Sequence, residues 1–593
     1  MEYVGAILTE AYTGENQNLW LSNHSKTFHY KESGWERINR SELCVTKSFN
    51  AYQLEFPIDW KADPFQSKSW RLYFHSLDWL HSFRYDVENN NNLESLKKAR
   101  EIIVDWWITN SQPESSDEMA WDDHATSNRL ANLCIWYNLF DNTPEEEEQF
   151  VEMINFHCEM MNSFFENGHW IATNHAIFHI ASLVNVNLVF ANSNQIIDTS
   201  ELARKYLEKT VQTIIHLDSG FSVEQSLFYH QFVMDEFLPL LELIEFNDKM
   251  DSKSINSCIE KMKSFLQVIS TADGTVPALG DTAFGFKVRA KYRPTSDINK
   301  GTFVYEDSGL AIFRGHTNKS PNIGVFSFVN KRTSHGHFNP LDFSLIISGE
   351  ELLVDSGGSY AYGEPFRFSY IISNLAHNVA RVFGENAKNA SEYLFSSSDE
   401  ISFVCAKQLR DDAEITRTVV SLSGESFIVF DSVELSKPGM VELFWHFSPS
   451  IDISSDGINK IDTSENSDLL ISKDNDSTKL KLFSNKSEIM MDSAHSSDVS
   501  VKIQSGIHEP TPQGWVTPGH RKIIPIPCVV VEYEQCSQAN TATSWIPVDS
   551  KYQLLELSSD FAKLQIGDSK ICKIRCTNGG VSISSSTILD EKL

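Results

Sequence analysis

The sequence predicts an α+β chain of several domains, helical in its first half and antiparallel β in its second, and three observations carry that prediction. From Ile58 to about residue 290, apolar residues recur at helical spacing and no hairpin pattern interrupts them. Beyond about residue 300 the period falls to two, in stretches such as FVYEDSGLAIFRG, FIVFDSVEL and VELFWHF set between Gly, Ser, Asn and Asp turns. Between the halves stand DGTVPALGDTAFG (Asp273 to Gly285) and the charged, Pro-containing RPTSDINKG, which have the composition of a boundary.

Taken in order, residues 1–57 are a polar entry segment with short β-like pieces. Residues 58–299 form the helical domain. It opens with Trp70, Phe74, Leu77 and Leu80 on one stripe, and continues through Leu93 to Thr109 and Arg129 to Phe140. In DNTPEEEEQF, Thr143 is placed to cap a helix, Pro144 to take its first position, and the glutamates to meet its positive end. Asn174 to Phe190 is apolar nearly all round, the mark of an inner helix. Glu201 to Leu217, Gln225 to Phe246 and Ile255 to Ile269 complete the series, and short polar links between them suggest antiparallel helical hairpins. Residues 300–510 read as a β-sandwich and 511–593 as a β extension or small separate sheet.

The chain has 593 residues, enough for two or three domains. A formal net charge of −30 argues against a general nucleic-acid or membrane-surface role. Any groove for an anionic substrate must therefore be a local exception to the global field. Thirteen Trp and 38 Phe supply a large core and flat faces on which sugar rings can stack. Nine scattered cysteines, without metal-type pairing, fit reduced thiols better than a disulfide framework. The first residues lack the basic start and apolar core of a signal peptide, so the expectation is a cytoplasmic chain, with periplasmic or exported location as the alternative. No run approaches the roughly 18 apolar residues of a membrane span.

Chemistry concentrates between Ser334 and Asn378. His335 and His337 are two residues apart, so in an extended segment they leave on the same face. Phe343 to Ile347 and Leu352 to Val354 read as strands joined by a Ser-Gly-Glu turn, a hairpin that returns Asp355 towards the histidines. His337, Asp355 and His377 then offer two imidazoles and a carboxylate, a set suited to zinc or manganese, with His335 left over to face a substrate. In the helical half, Asn174 and His175 enter the most apolar helix, with Asn174 also fitted to cap it. Glu224, Tyr229 and His230 stand together in DSGFSVEQSLFYHQF. Arg129 offers a forked contact to a substrate anion or a partner for a local carboxylate, and Tyr362 and Arg367 lie near the metal set.

These strings resemble the heparinase II/III-like polysaccharide lyases. That family carries H-x-H, then a strand ending in D-x-G with Tyr following, then A-H-N, which stand here as His335-Gly336-His337, Asp355-Ser356-Gly357 with Tyr360 and Tyr362, and Ala376-His377-Asn378. Its helical domain has an N-H element and, further on, E-x-S-x-x-Y-H, matched by Asn174-His175 and by Glu224 through Tyr229-His230. The resemblance spans roughly residues 58 to 450. It implies an incomplete (α/α) toroid followed by an antiparallel β-sandwich, and cleavage of a uronic-acid-containing glycan by β-elimination in the cleft between them. It implies that Asn174 and His175 hold the substrate carboxylate, that Tyr229 protonates the leaving oxygen and that His335 assists. His337, Asp355 and His377 are implied as ligands of a divalent metal, zinc first, with manganese or calcium as alternatives. Glu224, His230, Arg129, Tyr362 and Arg367 are expected as second-rank substrate contacts. The implied partner is an acidic polysaccharide or oligosaccharide. A uronate C5-epimerase with the same site, and a non-catalytic glycan-binding protein of surface-polysaccharide production, are the alternatives.

Overall fold

The computed structural model describes residues 34–587, except 48, 169, 171–172, 246–251, 295–299, 318–319, 329–334, 338, 359, 384–391, 456–466 and 578–579. Most of the expected entry segment therefore lies outside the described residues. The chain forms two compact units: residues 1–215 with 232–260, and residues 216–231 with 261–593. By contacts within the chain, 216–231, which hold Glu224 and Tyr229, and everything from 261 belong to the second unit.

The first unit is helical: α1 (Gly34–Asn39), α2 (Lys68–Ser76), α3 (His81–Asn90), α4 (Leu93–Asn110), α5 (Asp123–Leu139), α6 (Pro144–Glu166), α7 (His175–Val189) and α8 (Ser200–Thr213). The expected stripe is buried, with Trp70, Phe74, Leu77 and Leu80 at most 1% exposed. The helix itself stops at Ser76, because Leu77 is left-handed (φ 59°) and the Ser76 hydroxyl takes the Asp78 N–H. Thr143 and Glu146 cap each other's backbone at the start of α6. α5 begins six residues earlier than its apolar pattern indicates, because Asp122 caps it by accepting from the N–H groups of His124 and Ala125. α7 is buried from Ala176 to Val186, as an inner helix must be. Asn174 occupies its cap position, yet its side chain makes no capping hydrogen bond.

Two helices, α9 (Leu227–Glu245) and α10 (Ser252–Ile269), carry chain of both units. The rest of the second unit is mainly three antiparallel layers. A five-stranded meander runs Gly301–Tyr305, Leu310–Thr317, Ser320–Ser327, Asp342–Ile347, Glu350–Leu353. The second layer has nine strands among the described residues, with Cys528–Pro547 paired between Glu488–Ser505 and Ser426–His446. That strand moves the expected boundary: the second sheet continues past 510 to Pro547, and the separate four-stranded sheet starts at Tyr552. Strand alternation explains the layering. Phe427 and Val429 face the meander in a core with Phe343, Trp445 and Trp545, whereas Ile428 and Phe430 face the C-terminal sheet with Leu564 and Ile574. Each such fully buried side chain contributes roughly 2 kcal/mol.

Candidate functional site

Two side-chain clusters carry the chemistry, one in each unit. In the second unit the hairpin Asp342–Ile347/Glu350–Leu353 turns at Ser348 and Gly349, both at positive φ (54° and 77°), and delivers Asp355 at its end. Gly357 (φ 61°) bends the following chain so that its N–H reaches Asp355 Oδ1 at 2.9 Å; a Cβ there would meet the Thr282 carbonyl oxygen at 2.6 Å. His377 Nδ1 lies 3.2 Å from Asp355 Oδ2 and His337 Nδ1 3.9 Å from Asp355 Oδ1. Ligating atoms of all three lie within 4.8 Å of one another, and all three residues are buried.

Two observations fit this set to a divalent cation. His377 Nε2 is buried and has no hydrogen-bond partner among the described residues. His337 Nε2 hydrogen-bonds Asp281 Oδ1 (3.1 Å), the carboxylate backing that fixes the tautomer of a metal-ligating imidazole. Asn378, beside His377, holds the loop: it accepts the His446 N–H (2.7 Å), donates to the Val354 carbonyl (3.0 Å), and its own N–H reaches Asp342 (2.7 Å).

Asp281 is the residue that sequence reading missed. It is buried, in the stretch read only as a boundary, and it accepts from five donors. His335 Nδ1 (3.0 Å), Tyr362 Oη (2.9 Å) and Arg367 Nη2 (3.2 Å) reach one oxygen; His337 Nε2 (3.1 Å) and Arg367 Nη1 (2.7 Å) reach the other. His335 and His337 do share a face, and what they share is this carboxylate. Burial alone would raise the Asp281 carboxyl, but the hydrogen bonds from His335 and His337 and the charge of Arg367 hold it well below the usual carboxylate range. Gly280 makes the position reachable: at φ 57° it lets Asp281 N–H bond the His335 carbonyl (2.9 Å), and a Cβ there would lie 2.4 Å from the Gln225 carbonyl oxygen. A Gly-Asp pair beside a Thr was the only trace of this in the sequence.

Tyr229 lies over His335, the rings 3.4 Å apart and within 11° of parallel. Its hydroxyl is 3.2 Å from that of Tyr362, which is 2.9 Å from His335 Nδ1. Tyr362 is 51% exposed, but its hydroxyl end points into the charged cluster, where burial, Tyr229 and Asp281 push its phenol far up; it is a neutral donor at every physiological pH. Glu224 Oε1 lies 3.5 Å from His335 Nε2, so both nitrogens of that ring face carboxylates.

In the first unit Asp123 plays the corresponding part, again unseen in the sequence. It lies at the first turn of α5, 3.3 Å from His175 Nδ1 and 3.3 Å from His179 Nε2. Burial raises its carboxyl, and the two histidines overcome that and hold it well below the usual range. His124 meets His175 edge-on at 4.4 Å between centroids. Asn174 is 6% exposed.

Four expected substrate contacts are corrected. Arg129 is fully buried between Trp106 (3.7 Å) and Trp121 (4.9 Å), donating to the His75 carbonyl and to His157 Nε2 at 2.8 Å each, so it meets no substrate. His230 is buried with Nδ1 accepting from Ser222 N–H (3.1 Å) and Nε2 on the Met262 carbonyl (3.0 Å); burial lowers its pKa to about 4, and it is a structural histidine. Arg367, 4% exposed, is committed to Asp281. Glu224, 1% exposed, backs His335 instead of facing solvent.

Residues 29–298 match the family model described as Heparinase II/III N-terminus, and residues 299–545 match Heparinase II/III-like, C-terminal. The chain is similar to a crystal structure of heparinase III, with 14% identity, a TM-score of 0.71, and 99% of this chain and 95% of that chain covered. It is similar to heparan sulfate lyase HepC from Pedobacter heparinus at 14% identity and TM-score 0.60, covering 98% and 94%. The chondroitin AC lyase of Streptomyces coelicolor A3 follows at 7% identity and TM-score 0.55, covering 98% and 89%. No curated protein matches the sequence. At these identities the likeness establishes the fold, an incomplete (α/α) toroid followed by an antiparallel β-sandwich.

Proposed function

The chain belongs to the heparinase II/III family, and from that premise we propose that it is a polysaccharide lyase, cleaving a uronic-acid-containing glycan by β-elimination. The observation that carries this reading is the array Tyr229–Tyr362–His335, in which two phenol hydroxyls and an imidazole are in mutual contact against an ionised aspartate.

β-Elimination removes the C5 proton, which is weakly acidic because its loss places charge beside an existing carboxylate. Donors must neutralise that carboxylate, a base must take the proton, and an acid must protonate the C4 oxygen as it leaves. Asn174 and His175 are proposed for the first task, consistent with their adjacent places at the start of α7 and an imidazole whose Nδ1 faces Asp123. Either His175 takes the C5 proton, to lose it to solvent after turnover, while Tyr229 gives its own proton to the leaving oxygen, or Tyr229 enters as the phenolate, takes the C5 proton and passes that same proton on. Tyr362 and His335, in contact with Tyr229, orient its hydroxyl and return its proton after turnover. His337, Asp355 and His377 would hold a divalent ion, and two imidazoles favour zinc or manganese over calcium. Such an ion supplies positive charge and cross-links the loops that carry its ligands.

A C5-epimerase shares the first half-reaction but must return the proton from the opposite face. The hydroxyls of Tyr229 and Tyr362 are 3.2 Å apart and address one point, which suits an acid and its proton reserve better than two opposed acids. The test is ultraviolet absorbance during incubation with a panel of uronic-acid polysaccharides, because elimination leaves a conjugated C4–C5 double bond. The expected result is a rise on at least one polymer, reduced about 10²- to 10⁴-fold in Tyr229→Phe. No rise on any polymer, with C5 proton exchange in heavy water, would transfer the assignment to an epimerase; neither signal would favour a glycan-binding protein.

A further inference from the structure

We infer that Asp281 is a positioning residue that couples the metal cluster to the proton-transferring histidine. Its two oxygens divide the work: Oδ1 takes the Nε2–H of His337, and Oδ2 takes the Nδ1–H of His335 and the Tyr362 hydroxyl. Arg367 spans both oxygens and locks the carboxylate plane. Because an ionised carboxylate only accepts, it requires a proton on Nε2 of His337, which leaves Nδ1 of that ring towards Asp355, and it holds the Nδ1–H of His335 while Nε2 of that ring faces Glu224. A cation held by His337, Asp355 and His377 would pin the His337 ring. That would pin Asp281, which sets the angle at which His335 lies under Tyr229. Removing the cation would leave the His337 ring held through its Nε2 bond to Asp281, the contact through which the change would reach His335.

This rests on the lyase reading for the meaning of the Tyr229–His335 pair, but the coupling itself can be read without turnover. The measurement is carbon NMR of the full chain with ¹³Cε1-labelled histidine, the His335 signal assigned through His335→Gln. Zinc is stripped with a chelator and added back. The expected result is a shift of the His335 signal on stripping, its recovery on reloading, and no such response in Asp281→Asn. A His335 signal indifferent to zinc in the parent chain would overturn the inference, whatever the enzyme does. In parallel, Asp281→Asn is expected to bind zinc about 10- to 100-fold more weakly. Its kcat should fall with KM little changed, and the fall should persist at saturating zinc, because the aspartate also holds His335 directly. Parental zinc affinity, or parental kcat, in a variant with a parental circular dichroism spectrum would overturn it. Should Asp281→Asn fail to fold, Arg367→Lys replaces it: weaker zinc binding and a His335 signal that no longer follows zinc would support the coupling, and parental behaviour in both would overturn it. If Tyr229→Phe is also fully active, the lyase reading fails and the NMR result alone decides the coupling.

Discussion

Asp123 and Asp281 are two versions of one device. Each is an aspartate in contact with Nδ1 of one histidine and Nε2 of a second: His175 and His179 for Asp123, His335 and His337 for Asp281. Each is held ionised by those neighbours against burial. What differs is where the second histidine leads. His179 is 1% exposed and ends in the apolar interior of α7, so Asp123 is an anchor for His175. His337 belongs to the set that could hold a metal ion, so Asp281 is the proposed junction. The compensation differs too. Asp281 has the permanent charge of Arg367, while the groups that most lower the Asp123 carboxyl are His175 and His179. A buried carboxylate with a guanidinium can serve several donors without neutralising, and that lets one residue organise two sites.

The sharpest way to break this comparison is to neutralise both aspartates. Asp281→Asn is expected to lower kcat by about 10²-fold or more with KM near parental. Asp123→Asn is expected to act mainly on KM, by about tenfold, through a misoriented His175. Steady-state absorbance kinetics separate the two patterns, and equal effects of both variants on kcat would erase the distinction. Next in size is Arg129→Ala, expected to cost about 3 kcal/mol of stability by leaving the His75 carbonyl and His157 without their buried donor. Activity per folded molecule should be parental, as thermal melts and active-site titration would show; a selective loss of activity would restore Arg129 to the site. Smaller still, Tyr362→Phe should reduce kcat about 5- to 10-fold, the worth of one ordinary net hydrogen bond.

The smallest effect concerns acid. Both aspartates have folded pKa values below their unfolded ones, so their stabilisation is fully present above the unfolded carboxylate value of about 3.9 and is lost as pH falls through the folded values. Melting temperature should therefore be insensitive to these groups between pH 5 and 7, as an order-of-magnitude window. Below about pH 4 it should fall less steeply in either Asp→Asn variant than in the parent. An acid limb identical in all three chains would contradict the linkage.

What was legible in the sequence follows from how local each signal is. Helix stripes and strand alternation are read over neighbouring residues, so Trp70 and Phe74, the inner helix α7 and the hairpin before Asp355 were accessible. The histidines and Asp355 were visible because their spacing sits within one short stretch. Asp281 and Asp123 were not, because their meaning is long-range: Asp281 meets His335 across 54 residues of chain, and Asp123 meets His175 across 52. Arg129 misled for the same reason. Nothing near it in sequence announces that Trp106 and Trp121 close over it. The boundary stretch was read by its glycines, and one of them, Gly280, turns out to serve the site by letting the chain pass close enough for Asp281 to reach His335.

The most direct test of the central claim is the chemistry of the product. Oligosaccharides released from a responsive uronic-acid polymer would be examined by mass spectrometry and proton NMR. A lyase using Tyr229 yields a new non-reducing end that carries a C4–C5 double bond, one water lighter than a hydrolysis product, and Tyr229→Phe yields almost none. A fully hydrated new end, or an unsaturated one formed equally well by Tyr229→Phe, would contradict the account.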